Sequence, residues 1–409
     1  MSNPYAALQI RDFRLFVSAR FCVTLAIQIQ AVVVGWQVYE VTKDPLSLGL
    51  IGLAEAVPSI SVSLYAGHLA DIIQRKRIII ITLLTLFVCS VALLFFTTHT
   101  GAFILQHGIL PIYAVIFISG IARGFITPAL FSFMPQLVPR ELYQNAISWN
   151  STLWEMASIG GPPIGGLIYG FFGITAAYTI DATLMLMGVT LALLVVDRPL
   201  PSITDEQGIV DKVKAGLQFV FQNKIILSAI SLDLFAVLFG GAVALLPIFA
   251  DQILDVGKIG LGFLRSAPGI GAVLTALYLT YHPIKKSMGR ILLYSVAGFG
   301  LCMIFFAVSR NFWLSMSMLA ISGAFDCVSV IVRGTLLQTL TPENMKGRVS
   351  AVNNIFIGSS NEIGAFESGV AARLLKVVPS VIFGGVMTLL VVGITAWKAP
   401  SLRKLEKAG

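Results

Sequence analysis

Carboxylates and guanidinium groups recur in this sequence inside stretches that are otherwise apolar. Glu55, Glu155, Asp233, Asp326, Glu362 and Glu367 each lie in such a stretch, and so do Arg123, Arg265 and Arg333. An acid in that setting has three uses. Its proton affinity depends on its surroundings, so it can take up a proton in one arrangement and release it in another. It can hold a cationic group of a ligand, or it can be a satisfied structural partner. Arg123, in ISGIARGFITPAL, needs an anionic partner. Glu155, at similar depth in the next apolar run, is its first candidate, as a structural pair or as a proton-coupling pair. None of the four histidines (His68, His99, His107, His282) is central to an apolar run, so any proton carried must travel on carboxylates. The chain shows no H-E-x-x-H, no glycine-rich loop followed by Lys-Ser/Thr and no paired Cys/His ligand set. An enzyme is therefore not expected, nor a metal or other cofactor. Cys22, Cys89, Cys302 and Cys327 lack C-x-x-C spacing and read as small buried side chains.

The elements that carry these groups are legible from composition. Hydrophobic residues make up 56% of the 409 and charged residues only 12%, against roughly a quarter charged in a soluble domain. Crossing a bilayer takes about 20 apolar residues as a helix. Twelve runs qualify, near 16–38, 47–70, 77–97, 110–134, 146–170, 173–195, 224–249, 259–280, 290–309, 312–334, 349–372 and 377–397. The alternating strands of an outer-membrane barrel are missing. The expected fold is an all-α integral membrane protein, with twelve transmembrane helices in two pseudo-symmetric six-helix halves, 1–196 and 224–409. The hydrophilic segment 197–223 joins them and includes an amphipathic helix over Ile209–Phe221. Most Lys and Arg fall on one side of this topology, which places both termini in the cytoplasm. The net charge of +8 is thus topological rather than a nucleic-acid footprint. Met1–Phe13 is polar and has no cleavable-signal pattern.

Internal repetition supports the two halves. A step of 203 residues separates both Gly161 from Gly364 and Gly166 from Gly369. The same step relates Gln30 to Asp233 and Arg123 to Asp326. In span five, Gly160-Gly161-Pro162-Pro163-Ile164-Gly165-Gly166 removes backbone donors and permits close helix contact. Gln28 and Gln30 at mid-depth in span one suit interhelical hydrogen bonding or substrate contact. Span eleven is the most polar; Asn354, Gly358, Asn361 and Ala365 share one helical face that suits an aqueous cavity. Between spans two and three, Gly67 and Asp71 precede a basic cluster, Arg75, Lys76 and Arg77. There Asp71 can face a helix N-terminus and the basic trio can meet lipid phosphates or acids.

These residues resemble the major facilitator superfamily along the whole chain. Gly67, Asp71, Arg75 and Lys76 match its motif between helices two and three, with Ile72 and Gln74 departing from it. Arg123 matches the helix-four arginine. Gly161, Pro162, Gly165 and Gly166 match the helix-five motif associated with antiporters, with Ala157 in place of an earlier glycine. QLVPRELYQNA, LTPENMKGRVSAVN and NEIGAFESG are similar to the branch containing enterobactin-exporter-like proteins and macrolide efflux pumps. The resemblance implies the major facilitator fold, alternating access and proton-driven export across the inner (plasma) membrane. The expected partners are a small-molecule substrate, protons and membrane lipids, without nucleic acid, and the expected state is a monomer. Transport of a lipid or lysophospholipid, import of a solute, and a membrane-embedded enzyme or receptor are the alternative readings.

Overall fold

The computed structural model describes residues 4–98, 108–198, 209–282, 284, 286–342, 345–403 and 405. Among these every regular element is helical: α1 Arg11–Thr42, α2 Pro45–Ile72, α3 Arg75–Thr98, α4 Leu110–Phe133, α5 Tyr143–Leu193, α6 Ile209–Gln222, α7 Lys224–Phe239, α8 Gly257–Tyr281, α9 Met288–Val308, α10 Phe312–Leu340, α11 Lys346–Leu375 and α12 Val377–Lys398. In hydrocarbon each backbone N–H and C=O must be satisfied within its own segment, and long apolar runs meet that demand as helices. Starts are set by local chemistry. Asn223 caps α7 by accepting from the N–H groups of Ile225 and Ile226. Asn311 caps α10 by accepting from Leu314.

One expectation about helix ends changes. The runs 146–170 and 173–195 are, as expected, two helices, the two arms of α5, parted at Gly173, where φ is 83° and ψ 176°. The run 224–249 is not one helix. It stops at Phe239 before Gly240-Gly241, both weak helix formers, then continues through a 3-10 turn over Ala242–Leu245 and a π turn over Phe249–Ile253.

The repeat is visible in the corners. Lys376, 203 residues after Gly173, separates α11 from α12 with φ 73° and ψ 163°. Lys43 between α1 and α2 (φ 50°) and Asp255 between α7 and α8 (φ 51°) form a second matched pair. One backbone conformation therefore closes corresponding hairpins in both sequence halves, with glycine at one copy of the first corner and lysine at the other.

The chain folds as two compact units. The first comprises Met1–Lys43, Ala54–Glu206 and Gly257–Gly262; the second comprises Asp44–Leu53, Gln207–Val256 and Phe263–Gly409. Phe13, Phe16, Ala122, Phe133, Met185 and Val189 are buried together in the first. Polar ties join its helix ends. Asp12 pairs with Arg198 at 2.7 Å, Lys76 with Asp197 at 3.0 Å, and Arg75 donates to the Ser132 carbonyl at 3.0 Å. That last contact places a cation on the final turn of α4, where carbonyls lack helical partners. In the second unit Leu292, Leu293, Leu336 and Leu402 form the core. The amphipathic helix α6 belongs here, with Val220 buried among Ile226, Val349 and Val352. Asp233 of α7 forms an ion pair with Arg333 of α10, both side chains almost wholly enclosed.

Two stability measurements test these features. Gly173→Ala puts a side chain where the backbone favours glycine and should lower stability by about 1–3 kcal/mol. Lys376→Gly should raise the thermal midpoint of purified protein, so the two changes have opposite signs. Breaking the buried pair with Asp233→Asn or Arg333→Gln should each cost about 3–5 kcal/mol. The apolar double variant Asp233→Leu/Arg333→Met should recover most of that loss, and additive losses would show that the pair does not couple.

Candidate functional site

In the first unit the polar groups lie along α1 and the helices packed on it. Glu55 of α2 forms an ion pair with Arg123 of α4, through Oε1 and Nη1. The two backbones meet at Gly120, where a side chain would stand 2.8 Å from Pro58 Cγ and 3.1 Å from the Glu55 carbonyl carbon. This crossing brings Glu55 within reach of the guanidinium. The expected Glu155–Arg123 pair is therefore not formed. Glu155 is half-buried on α5 and makes no hydrogen bond or ion pair among the described residues. Arg123 keeps one buried donor, Nε, without a partner among the described residues.

Gln30, buried on α1, donates to Asp181 Oδ2 at 3.2 Å and to Ser90 Oγ at 3.4 Å. Farther along the same helix, Tyr178 donates to Gln37 Oε1 at 2.6 Å, and Tyr169 donates to Glu40 Oε2 at 3.0 Å. Lys258, in the first turn of α8, stands 3.7 Å from Glu40 Oε1 and 4.1 Å from the centre of the Tyr169 ring. Asp181, Tyr169, Glu40 and Lys258 are absent from the sequence-based set. Asp181 carried the same signal as the acids in that set, an ionisable group in an apolar run. Glu40 and Lys258 stand at helix ends, where charge is ordinary, so only their convergence distinguishes them.

The glycine-proline motif of α5 uses two faces. A side chain at Gly165 would meet Ile29 Cα of α1 at 3.1 Å; one at Gly166 would meet the Lys258 carbonyl oxygen of α8 at 2.7 Å and Gly262 Cα at 3.1 Å. Gly161 faces Gln28, whose half-buried side chain occupies the space left by the missing one. Pro162 is buried on the α8 side, its carbonyl beside Gly262. The motif is thus a packing surface for α1 and the start of α8.

In the second unit Asp233 and Asp326 line one small cavity with Ser295, Phe299, Phe325 and Ser329. Asp326 and Arg333 lie seven residues apart on α10, on one helical face. Arg265 is half-buried on α8 and Glu367 half-buried on α11. Asn361 is exposed and donates to the Ile357 carbonyl at 3.0 Å; Gly358 is exposed on the same face. Buried Asn353 Oδ1 lacks a partner among the described residues. The side chains of Gly67, Asp71, Asn354 and Glu362 lie outside the described residues. Among the described residues no group of His, Cys, Asp or Glu has the arrangement of a metal site.

Comparison with known proteins accounts for this architecture. Residues 2–408 match the family described as transmembrane secretion effector, within the major facilitator superfamily. The enterobactin exporter EntS of Shigella dysenteriae is 25% identical over 382 residues, covering 93% of this chain and 90% of the exporter. Its Escherichia coli counterpart gives the same figures. Among solved structures, the inward-open xylose transporter XylE from E. coli superposes with a TM-score of 0.71 at 13% identity, over 97% of this chain and 96% of its own. A point mutant of the nucleoside transporter NupG gives 0.72 at 14%, over 95% and 99%. The POT family transporter PepTSo gives 0.72 at 12%, over 96% and 98%. At such identities these likenesses establish the fold, and the family match extends over nearly the whole chain. The protein belongs to the transmembrane secretion effector family of the major facilitator superfamily and is a membrane transporter, not an enzyme.

Proposed function

We propose that this transporter is a proton-coupled exporter of a small amphiphilic molecule, a siderophore or a drug, working by alternating access in the inner (plasma) membrane. The observation that carries the reading is the similarity, over 93% of the chain, to proteins described as enterobactin exporters. The moving bodies in this reading are the six-helix halves 1–196 and 224–409, with 197–223 as the cytoplasmic connection and both termini on that side. The protein acts as a monomer among membrane lipids, and its partners are the substrate and protons.

Energetically, an exporter needs a step that differs between its two access states, since only differential interaction shifts a conformational equilibrium. Glu155 on α5 and Glu367 on α11 are suited to that step. Both are half-buried in long helices, and neither has an ion-pair partner among the described residues. Arg123 and Arg333 are held by Glu55 and Asp233, pairs that neutralise their charge inside the bundle. Asp326 and Arg265 offer further charge on α10 and α8. Gln28, Asn354 and Asn361 offer neutral polar contacts.

Everted membrane vesicles given enterobactin in the outside medium as the probe test the reading. Uptake should depend on the proton gradient and should be accompanied by proton movement. Glu155→Gln and Glu367→Gln should each lower gradient-driven uptake by roughly 5- to 150-fold, the span of ordinary coupling energies. Uptake that persists after the gradient is collapsed defeats proton coupling. Wild-type rate and pH dependence in both variants defeat the assignment of these acids. A response to lysolipid with none to enterobactin or dyes assigns the protein to lipid transport.

A further inference from the structure

Asp181 is the most enclosed acid of the first unit among the described residues, with 0% exposure. It stands on the second arm of α5, after the Gly173 break. Gln30 approaches Oδ2 from α1 at 3.2 Å and spends its other amide hydrogen on Ser90 Oγ of α3 at 3.4 Å. The Ser90 hydroxyl adjoins the carboxyl, and Oδ1 meets no hydrogen-bond partner among the described residues. The titratable or charged groups close enough to act on Asp181 are Cys89 of α3, Arg123 of α4 and Tyr178 on its own helix. Only Arg123 among them is a cation, and its Nη1 is engaged by Glu55. The same guanidinium carries a buried Nε without a partner among the described residues. One unit thus holds an enclosed carboxyl with an idle acceptor and a nearby cation with an idle donor, and Glu55 holds that cation.

We propose that Asp181 is a proton-binding site, loaded on Oδ1 while Glu55 holds Arg123, and emptied when that pair opens and the guanidinium becomes the counter-charge of Asp181. Loading takes up one proton and gives a neutral carboxylic acid that still accepts from Gln30. Emptying returns one proton and leaves a carboxylate compensated by Arg123. No other bond forms or breaks. The physical basis is the cost of enclosing a charge without a partner, several kcal/mol even after relaxation. A proton and a guanidinium are two ways to remove that cost, and the Glu55 pair selects between them. The inference rests on the proton-coupled reading for its role in transport and adds to it a residue on α5 beyond Glu155.

Infrared difference spectroscopy of the full chain in lipid, without substrate, tests it. Wild-type protein at neutral pH should show a protonated-carboxyl C=O band that shifts in deuterated buffer. Asp181→Asn, which preserves shape and the acceptor for Gln30, should lose that band. Glu55→Gln, which releases Arg123, should weaken it. Asp181→Glu keeps an acid in place and moves the band, so it supplies the same reading where the amide is not tolerated. Identical carboxyl spectra for wild type and both Asp181 variants overturn the proposal. An Asp181 band unchanged by Glu55→Gln overturns the part given to Arg123. If the band is present while vesicle uptake ignores the proton gradient, the site stands and the coupled reading fails. If the band is absent while uptake follows the gradient, the reverse holds.

Discussion

A guanidinium inside an apolar helical bundle must keep a counter-charge, and much of this structure answers that demand. Leaving Arg123 or Arg333 unpaired would expose the fold to the full cost of an isolated buried charge. Each is met by an acid on a different helix, Glu55 for Arg123 and Asp233 for Arg333. The first pair requires the close crossing of α2 and α4 at Gly120, because a side chain there would drive the backbones apart. Charge pairing and helix packing are therefore one constraint at that point. A change in the crossing alters the pair, and a change in the pair alters the crossing.

Between apolar helices in lipid there is little hydrophobic drive to associate, so shape decides which surfaces meet. The glycine-proline segment of α5 illustrates this. Gly161 and Gly165 admit α1, while Gly166 admits the first turn of α8. That turn also carries Lys258, which reaches Glu40 and the Tyr169 ring. A close backbone contact and a polar cluster thus occupy one short stretch of α8, and each holds the other in register. The prolines suit this arrangement because a helix packed through its backbone can spare the donors they remove.

The helices were legible in the sequence because hydrocarbon imposes length and polarity on every span. From α1 to α12 the expected ends fall within about six residues of the observed ones, apart from the end of α7. That exception turns on the pair Gly240-Gly241, whose effect depends on what packs beside it. Partnerships were less legible. Arg123 announced a need for an anion, and depth along the runs put Glu155 first; the Gly120 crossing brings Glu55 to it instead. Gln30 was legible as a polar group without a partner. The partner, Asp181, lies 151 residues away, and no local pattern connects the two.

The repeat clarifies how one ancestral plan supports two chemistries. Gln30 and Asp233, related by the 203-residue step, are both buried and both bonded to another helix. At the first position the neutral amide meets an acid; at the second the acid meets a guanidinium. The corners Gly173 and Lys376 likewise keep one backbone conformation with different side chains. Position and backbone are thus held by packing, which punishes any shift along a helix, while the polar group placed there is free to change whenever its partner changes with it. The first unit has accordingly kept an enclosed acid without a bonded cation, whereas the second has closed its acid with Arg333. Under the proposed reading, proton exchange falls to Asp181 and Glu155 in the first unit and to the half-buried Glu367 in the second, acids that no arginine pairs with among the described residues.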